Sequence, residues 1–294
     1  MTAGGVMTRA RGPARPPRAG HEAVALKAGV LVRHSLARLR TAVAVTAASL
    51  ALFQVLLAMA AAELQRQGTF EQLAALVPGF VRELFGTTLL SMMSFSGIMA
   101  LGYYHVAVVA VLVGLVVAVA TEPAGEVETG FADLVLAQPV SREAVITRSA
   151  VLLVVCPAIV IAAMSAGTFA GLWLAGPAAG SSPPPRLVWR LAAGLWSVLA
   201  CWGGVSLVIG AASRRRAVAA GIAGGAAAAL MLVDYLSRVW KPIRGLARLS
   251  PFHYYNPLDL VIGKPLPPGD VGILLGTAAA AVAVAYVLYR RRDV

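Results

Sequence analysis

Residues 97–120, GIMALGYYHVAVVAVLVGLVVAVA, decide the fold of this chain. The stretch contains one basic side chain, His105, and no acidic one. A helix of about 20 predominantly apolar residues crosses the ~30 Å hydrocarbon core of a bilayer. The sequence therefore predicts a membrane-spanning helix here, with lipid as its solvent.

Five further stretches share this length and character, and with residues 97–120 they make six predicted spans. The other five are 41–62, 149–174, 191–212, 217–236 and 271–289. Over the whole chain 59% of residues are hydrophobic and 13% are charged, whereas soluble domains carry about 25% charged residues. These proportions exclude a disordered chain and argue against a soluble enzyme. The sequence predicts an all-α polytopic membrane protein, with residues 22–294 forming one transmembrane domain.

The net charge of +12 follows the membrane pattern rather than the pattern of a nucleic-acid-binding surface. Bases cluster before the first span, at Arg142 and Arg148, at 214–216 and at 290–292. Cytoplasmic loops of membrane proteins carry such an excess of Lys and Arg. We therefore expect a multi-pass protein of the cell inner (plasma) membrane with both termini in the cytoplasm, and no nucleic-acid partner.

The N-terminal region carries bases but no apolar core of a signal peptide. Residues 1–21 are rich in Arg, Pro and Gly, which predicts a disordered basic tail. Residues 22–40 place apolar and basic side chains on different helical faces. This pattern predicts an amphipathic helix at the inner membrane interface, just before a retained first span.

The segment 121–148 is the most informative connection between spans. Acidic residues, among them Glu122, Glu126 and Glu128, precede a short apolar stretch that Pro139 ends. Ser141 can cap a new helix that continues into the third span, because its hydroxyl oxygen accepts an unpaired backbone N–H. We expect a short cytoplasmic helix whose movement passes to the bundle through a tight turn.

Residues 237–270 mix bases with aromatic side chains, a combination typical of a membrane interface. Several prolines exclude one continuous helix there. The sequence predicts short helices or a re-entrant hairpin at the outer face, leading into the sixth span.

The source of energy is not apparent within the chain. The phosphate-binding pattern GxxxxGK[ST] does not occur, and His105 is the one candidate for ion coupling inside a span. No His or Cys lies near the acids of 121–148 to complete a metal site, and the two cysteines have no metal spacing. We therefore expect no catalytic residues and no metal in this chain, and energy supplied by a partner through 121–148. An ion-coupled carrier using His105 and a non-transporting membrane enzyme or scaffold remain alternatives.

Two motifs resemble a known family, the membrane (permease) subunits of type-2 ABC exporters in the six-span form without a fused ATPase. The first motif has the form ExExG, followed by a short apolar helix and QPVSR. It consists here of Glu126, Glu128, Gly130, Leu134, Leu136, Gln138, Pro139, Val140, Ser141 and Arg142. The second motif is SPFHYYNP, at Ser250–Pro257. This sequence departs from the family at Phe131–Ala132–Asp133, where other members often have a polar or Thr–Leu run.

The resemblance implies an ATP-driven exporter of a hydrophobic or amphipathic substrate. The short helix of 121–148 would be the coupling helix that docks on a separate nucleotide-binding subunit, and ATP and Mg would be bound there rather than in this chain. The implied contact residues are Glu126, Glu128, Gly130, Phe131, Leu134, Gln138, Pro139, Val140, Ser141 and Arg142. A second permease subunit, identical or similar, would complete the transporter.

The resemblance also implies a route for the substrate. The path would run between the paired subunits, with the second and fifth spans as its walls and Tyr103, Tyr104 and His105 beside it. The outer re-entrant helices between the fifth and sixth spans would close the exit. This outer gate segment comprises Pro251, Phe252, His253, Tyr254, Tyr255 and Asn256.

Overall fold

The computed structural model describes residues 19–70, 72, 94–130, 142–176 and 183–291. All regular secondary structure in these ranges is helical. The first half of the chain forms α1 (Ala19–Arg66), α2 (Phe95–Tyr104), α3 (Val106–Ala120), α4 (Glu122–Glu128) and α5 (Arg142–Ala175). The second half forms α6 (Pro185–Ala212), α7 (Arg216–Val239), α8 (Arg244–Ala247), α9 (Pro257–Val261) and α10 (Pro268–Arg290). Two 3₁₀ turns, Lys241–Ile243 and Pro251–Tyr254, flank α8.

Six of the helical segments are long and apolar enough to cross a membrane, which confirms the predicted architecture at this level. These segments are Val32–Arg66, Phe95–Ala120, Glu143–Ala175, Pro185–Ala212, Arg216–Arg238 and Pro268–Arg290. They extend beyond the sequence boundaries because polar residues at both ends continue the helical backbone. The longest extension is at the start of the first span, which begins at Val32 instead of residue 41. Arg142 and Pro185 likewise begin helices predicted to start several residues later.

The N-terminal helix differs from its prediction in being continuous. Residues 22–40 and the first predicted span lie in one helix, α1, which begins at Ala19 inside the predicted tail. Residues 31–66 contain neither Gly nor Pro, so nothing in the sequence interrupts the backbone hydrogen bonding. The helix therefore continues unbroken through the position near residue 40 where the sequence pattern changes from amphipathic to apolar.

Two closely packed helix pairs build the bundle. α1 packs along α5, and α10 packs along α6, which also contacts α3, α5 and α7. Gly167 of α5 lies directly against the backbone of Ala51 in α1, where a larger residue would have no space. Such close approach at small residues is a common source of helix–helix stability in lipid.

Contacts between residues near the helix termini define two ends of the bundle. At one end, Thr147 bonds Tyr286 with 2.7 Å between their hydroxyl oxygens, and the backbone of Arg216 bonds Glu128. We call this the α4 end. At the opposite end, which we call the α9 end, Arg66 bonds the carbonyl oxygen of Ala175. Successive spans therefore run in alternating directions.

Candidate functional site: an ion-paired elbow and an apolar groove

α4 continues from α3 after a change of direction at Thr121. The Thr121 hydroxyl is buried and donates a hydrogen bond to the carbonyl oxygen of Val117 at 2.8 Å. Pro123 lies in the first turn of α4, a position where its missing N–H costs nothing. Gly210 of α6 packs against the carbonyl oxygen of Ala120 at the same corner. The direction of α4 is thus fixed by packing against the centre of the bundle.

Arg148 of α5 joins α4 to the third span through a buried ion-paired cluster. Its side chain is 5% exposed, and its Nη1 donates to Glu126 Oε1 at 2.7 Å. Its Nη2 lies 3.8 Å from Glu122 Oε2. Burial raises the pKa of Glu122, and the charge of Arg148 opposes that rise. One cation therefore serves two carboxylates that have little access to solvent.

Arg216 joins α4 to the fifth span. Its backbone N–H, at the start of α7, donates to Glu128 Oε2 at 2.8 Å. Its Nη2 donates to the carbonyl oxygen of Ala118 at 3.1 Å, near the end of α3. A carboxylate at a helix N-terminus is also favoured by the helix dipole. We call Glu122, Glu126, Glu128, Arg148 and Arg216 together the elbow cluster.

The remaining predicted contact residues follow the elbow cluster in the chain. Gly130 adopts a φ of 67°, and its N–H donates to the carbonyl oxygen of Val127 at 3.2 Å, which ends α4. Arg142 is the first residue of α5. The other predicted contacts lie outside the described residues: Phe131, Leu134, Gln138, Pro139, Val140 and Ser141.

Sequence reasoning assigned Glu126 and Glu128 to the coupling region but treated Arg148 and Arg216 only as indicators of topology. A signal was present in the sequence. Glu122 and Glu126 are four residues apart, so they share a helical face, and Arg148 directly precedes the predicted third span. A buried base at that depth requires an acidic partner.

An apolar groove of about 990 Å³ lies between α3 and α7. These are the second and fifth spans, which the family resemblance gave as walls of the substrate path. On α3 its wall includes Val109, Val113 and Val117, which repeat at helical spacing. On α7 it includes Ala227 and Met231. The groove therefore offers a long, mostly apolar surface along the bundle.

The three aromatic residues predicted beside the path separate in the structure. Tyr104 and His105 line the groove. Tyr103 is buried and faces α5, where its hydroxyl oxygen lies 3.0 Å from that of Thr168. His105 interrupts the second span, and its Nδ1 accepts the N–H of Ala107 at 3.3 Å to cap α3.

The predicted outer gate segment lies at the α9 end of the groove. Phe252, Tyr255 and Asn256 line it, and Pro251 is buried. The Tyr255 hydroxyl donates to the carbonyl oxygen of Leu191 at 3.2 Å, and burial raises its pKa well above the ordinary value.

The other two residues of this segment make polar contacts. The Tyr254 hydroxyl donates to the carbonyl oxygen of Arg248 at 2.8 Å, within the segment itself. His253 contacts α7 by placing its Nδ1 3.4 Å from Asp234 Oδ1. The gate segment is thus attached both to α6, through Tyr255, and to α7.

Asp234 is a groove residue that sequence reasoning placed only near the end of a span. It is 7% exposed, and its Oδ2 accepts a hydrogen bond from Arg238 Nη2 at 2.9 Å. Its Oδ1 accepts no hydrogen bond from the described residues. A buried carboxylate oxygen without a hydrogen bond is costly, so this atom is a candidate for a ligand contact.

Within the described ranges, no three His, Cys, Asp or Glu side chains converge as metal ligands would. Cys156 and Cys201 are both buried as free thiols. No family model, curated protein or solved structure matches this chain. The elbow cluster, the groove and the two sequence motifs are therefore the features of this chain that bear on its function.

Proposed function

We propose that this chain is the permease subunit of an ATP-binding cassette exporter, driven by a separate ATPase subunit. The observation that carries the proposal is the attachment of α4 to both walls of the groove. α4 follows α3 directly, and Glu128 holds the first N–H of α7. A force applied to α4 therefore reaches both walls at the α4 end.

The mechanism follows from these attachments. The ATPase binds residues 131–142, which connect α4 to α5, and ATP binding and hydrolysis move this segment. α4 transmits the movement to α5 through Arg148 and to α7 through Arg216. The groove widens at one end and narrows at the other, so a hydrophobic or amphipathic solute gains access to one side of the membrane at a time.

The proposal includes the arrangement of the complex. Two permease subunits, identical or similar, pair in the inner membrane with two ATPase subunits, which bind ATP and Mg. Both termini of this chain and its α4 end face the cytoplasm. The outer gate segment then lies at the exterior face, where it closes the groove until the bundle moves.

The test is ATP hydrolysis by the purified complex. Pro139→Ala and Arg142→Ala are expected to lower substrate-stimulated hydrolysis several-fold while leaving membrane insertion unchanged. The control is Lys264→Ala, which removes an exposed ion pair with Asp259 at the α9 end and is expected to leave hydrolysis unchanged.

Two results would contradict the proposal. One is unaltered stimulation of the ATPase by both coupling variants. The other is solute transport by this chain alone in vesicles under a proton gradient without ATP, which would favour the ion-coupled alternative.

A further inference from the structure

The α9 end of the groove differs chemically from the rest of it. Towards the α4 end the wall is made of small apolar residues, mainly valine, alanine and glycine. At the α9 end the lining includes Tyr104, Tyr235, Phe252, Arg238 and Asp234. One ion pair, formed by Asp234 and Arg238, thus shares this end of an otherwise apolar surface with several aromatic residues.

Asp234 is the carboxylate of this polar end, and the fold holds it in place. The residue is 7% exposed, and its Oδ1 has no hydrogen bond from the part of the chain that the structure describes. His253 Nδ1 lies 3.4 Å from Oδ1, and this contact is an ion pair only when the imidazole is protonated. A fixed, incompletely paired carboxylate attracts positive charge.

Arg238 neutralises Asp234 but is much less constrained. Its side chain is 48% exposed, whereas that of Asp234 is 9% exposed. An arginine with half of its side chain in solvent remains largely hydrated, so it can leave this ion pair more easily than a fully buried partner could. A long arginine side chain at a helix end can also extend into the interface. A ligand cation can therefore take its place, while the carboxylate stays where it is.

The aromatic rings favour the same sign of charge. The faces of tyrosine and phenylalanine rings carry negative quadrupole potential and attract cations, including quaternary ammonium groups. An anionic ligand would instead meet these faces and a buried carboxylate. Arg238 alone would favour the anion, and it is already paired with Asp234.

We infer that the groove binds an amphipathic cation, with its positive group at Asp234 and its apolar body along α3 and α7. The lining from His105 to Val117 covers a stretch of 13 residues, whose 12 steps of ~1.5 Å rise about 18 Å along the helix. This length accommodates an extended or multi-ring hydrophobic body. As a substrate assignment the inference rests on the proposed function, but as a ligand site it does not depend on it.

Two probe ions of nearly the same shape and opposite charge test this inference. Equilibrium dialysis of the full chain in non-ionic detergent measures binding of tetraphenylphosphonium and of tetraphenylborate against protein-free micelles. Asp234→Asn is expected to weaken phosphonium binding about tenfold, the effect of one lost ion pair of ~1.4 kcal/mol, without weakening borate binding. Arg238→Gln is expected to strengthen phosphonium binding and weaken borate binding.

Asp259→Asn is the matched control. Asp259 lies at the same end of the bundle but outside the groove, with its Oδ1 2.8 Å from Lys264 Nζ. This variant should leave the binding of both ions unchanged. Elution volume in size-exclusion chromatography checks that each variant is folded. If Asp234→Asn does not fold, the opposite effects expected of Arg238→Gln on the two ions still test the inference.

The inference would be overturned if the wild-type chain in micelles bound no more phosphonium than protein-free micelles. It would also be overturned if Asp234→Asn weakened the binding of phosphonium and borate equally. Stronger phosphonium loss in Asp259→Asn, or tighter borate binding in Arg238→Gln, would also overturn it. The assay contains neither ATPase nor nucleotide. Its failure removes this ligand class only, whereas failure of ATPase coupling would leave a measured cation site intact.

Discussion

Replacing Arg148 with Met should destabilise the bundle more than replacing any exposed base at the same end. Arg148→Met keeps the volume and removes the cation shared by Glu122 and Glu126. Removing one partner of a buried ion pair costs about 3–5 kcal/mol, because the other charge stays buried and uncompensated. Two carboxylates are affected here, since the side chains of Glu122 and Glu126 are 8% and 11% exposed.

Arg290→Met is the matched control for this variant. Arg290 pairs with Glu143 at 3.5 Å, also at the α4 end, but the two side chains are 68% and 53% exposed. An exposed pair of this kind contributes about 0–1 kcal/mol. The difference between the two variants therefore isolates the effect of burial.

The cost of Arg148→Met should decrease as the pH falls. Burial raises the pKa of Glu122 above its unfolded value, so the folded chain binds that proton more tightly than the unfolded chain. Ionised Glu122 therefore lowers stability as the pH rises through the interval between its unfolded and folded pKa. Loss of Arg148 removes the charge that opposes the shift, which widens this interval and steepens the pH dependence.

The assay is the free energy of unfolding in mixed micelles titrated with SDS, at pH 7 and pH 5. For Arg148→Met we expect a large loss of unfolding free energy at pH 7 and a smaller loss at pH 5. Adding Glu126→Gln to this variant should restore part of the free energy lost at pH 7. Equal losses of unfolding free energy in Arg148→Met and Arg290→Met would contradict the assignment of the cost to a buried, uncompensated charge. The same would follow if Arg148→Met lost as much unfolding free energy at pH 5 as at pH 7 and Glu126→Gln restored none of it.

Two further substitutions test packing at the elbow and at the gate segment. Gly210→Ala places a methyl group against the carbonyl oxygen of Ala120 and should cost about 1–3 kcal/mol of unfolding free energy. The control is Gly221→Ala, whose methyl group meets open space and should be neutral or stabilising by up to ~1 kcal/mol. Equal effects of the two substitutions would contradict the close packing at Gly210. Tyr255→Phe removes the hydrogen bond to Leu191 and should cost about 1 kcal/mol in the same measurement. Since burial raises the pKa of Tyr255 well above its ordinary value, this variant should also leave the ultraviolet titration of the phenols unchanged over the pH range in which exposed tyrosines ionise. Loss of one titrating phenol in that range would contradict the burial of Tyr255.

The sequence predicts the six apolar helices well, because spanning a bilayer demands a minimum length and composition that no tertiary contact overrides. The acidic connection after the second span was also apparent, since Glu122, Glu126 and Glu128 interrupt an otherwise uncharged stretch. The continuous α1 was not predicted. A change in amphipathic pattern indicates a change of surroundings, but it carries no information on whether the helix bends.

Pairings across helices were beyond the sequence. Which face of a span meets its neighbour depends on the rotation of each helix, so adjacent residues can separate, as Tyr103 and Tyr104 do on opposite sides of the second span. Asp234 resembled an ordinary polar residue at a span end. Its role as a groove residue arises from the return of the segment around Phe252, which folding brings against α7.

The central claim is that the segment joining α4 to α5 faces the compartment that contains ATP. Both native cysteines are buried, and a background with Cys156 and Cys201 replaced by Ala allows a single reporter, Ser141→Cys, with Asp259→Cys as the opposite-end control. The measurement is labelling by a membrane-impermeant maleimide in sealed vesicles of both orientations. We expect the Ser141 reporter to react only in inside-out vesicles, and more slowly when the ATPase is bound. The Asp259 reporter should react only in right-side-out vesicles. Reaction of the Ser141 reporter from the exterior alone would contradict it.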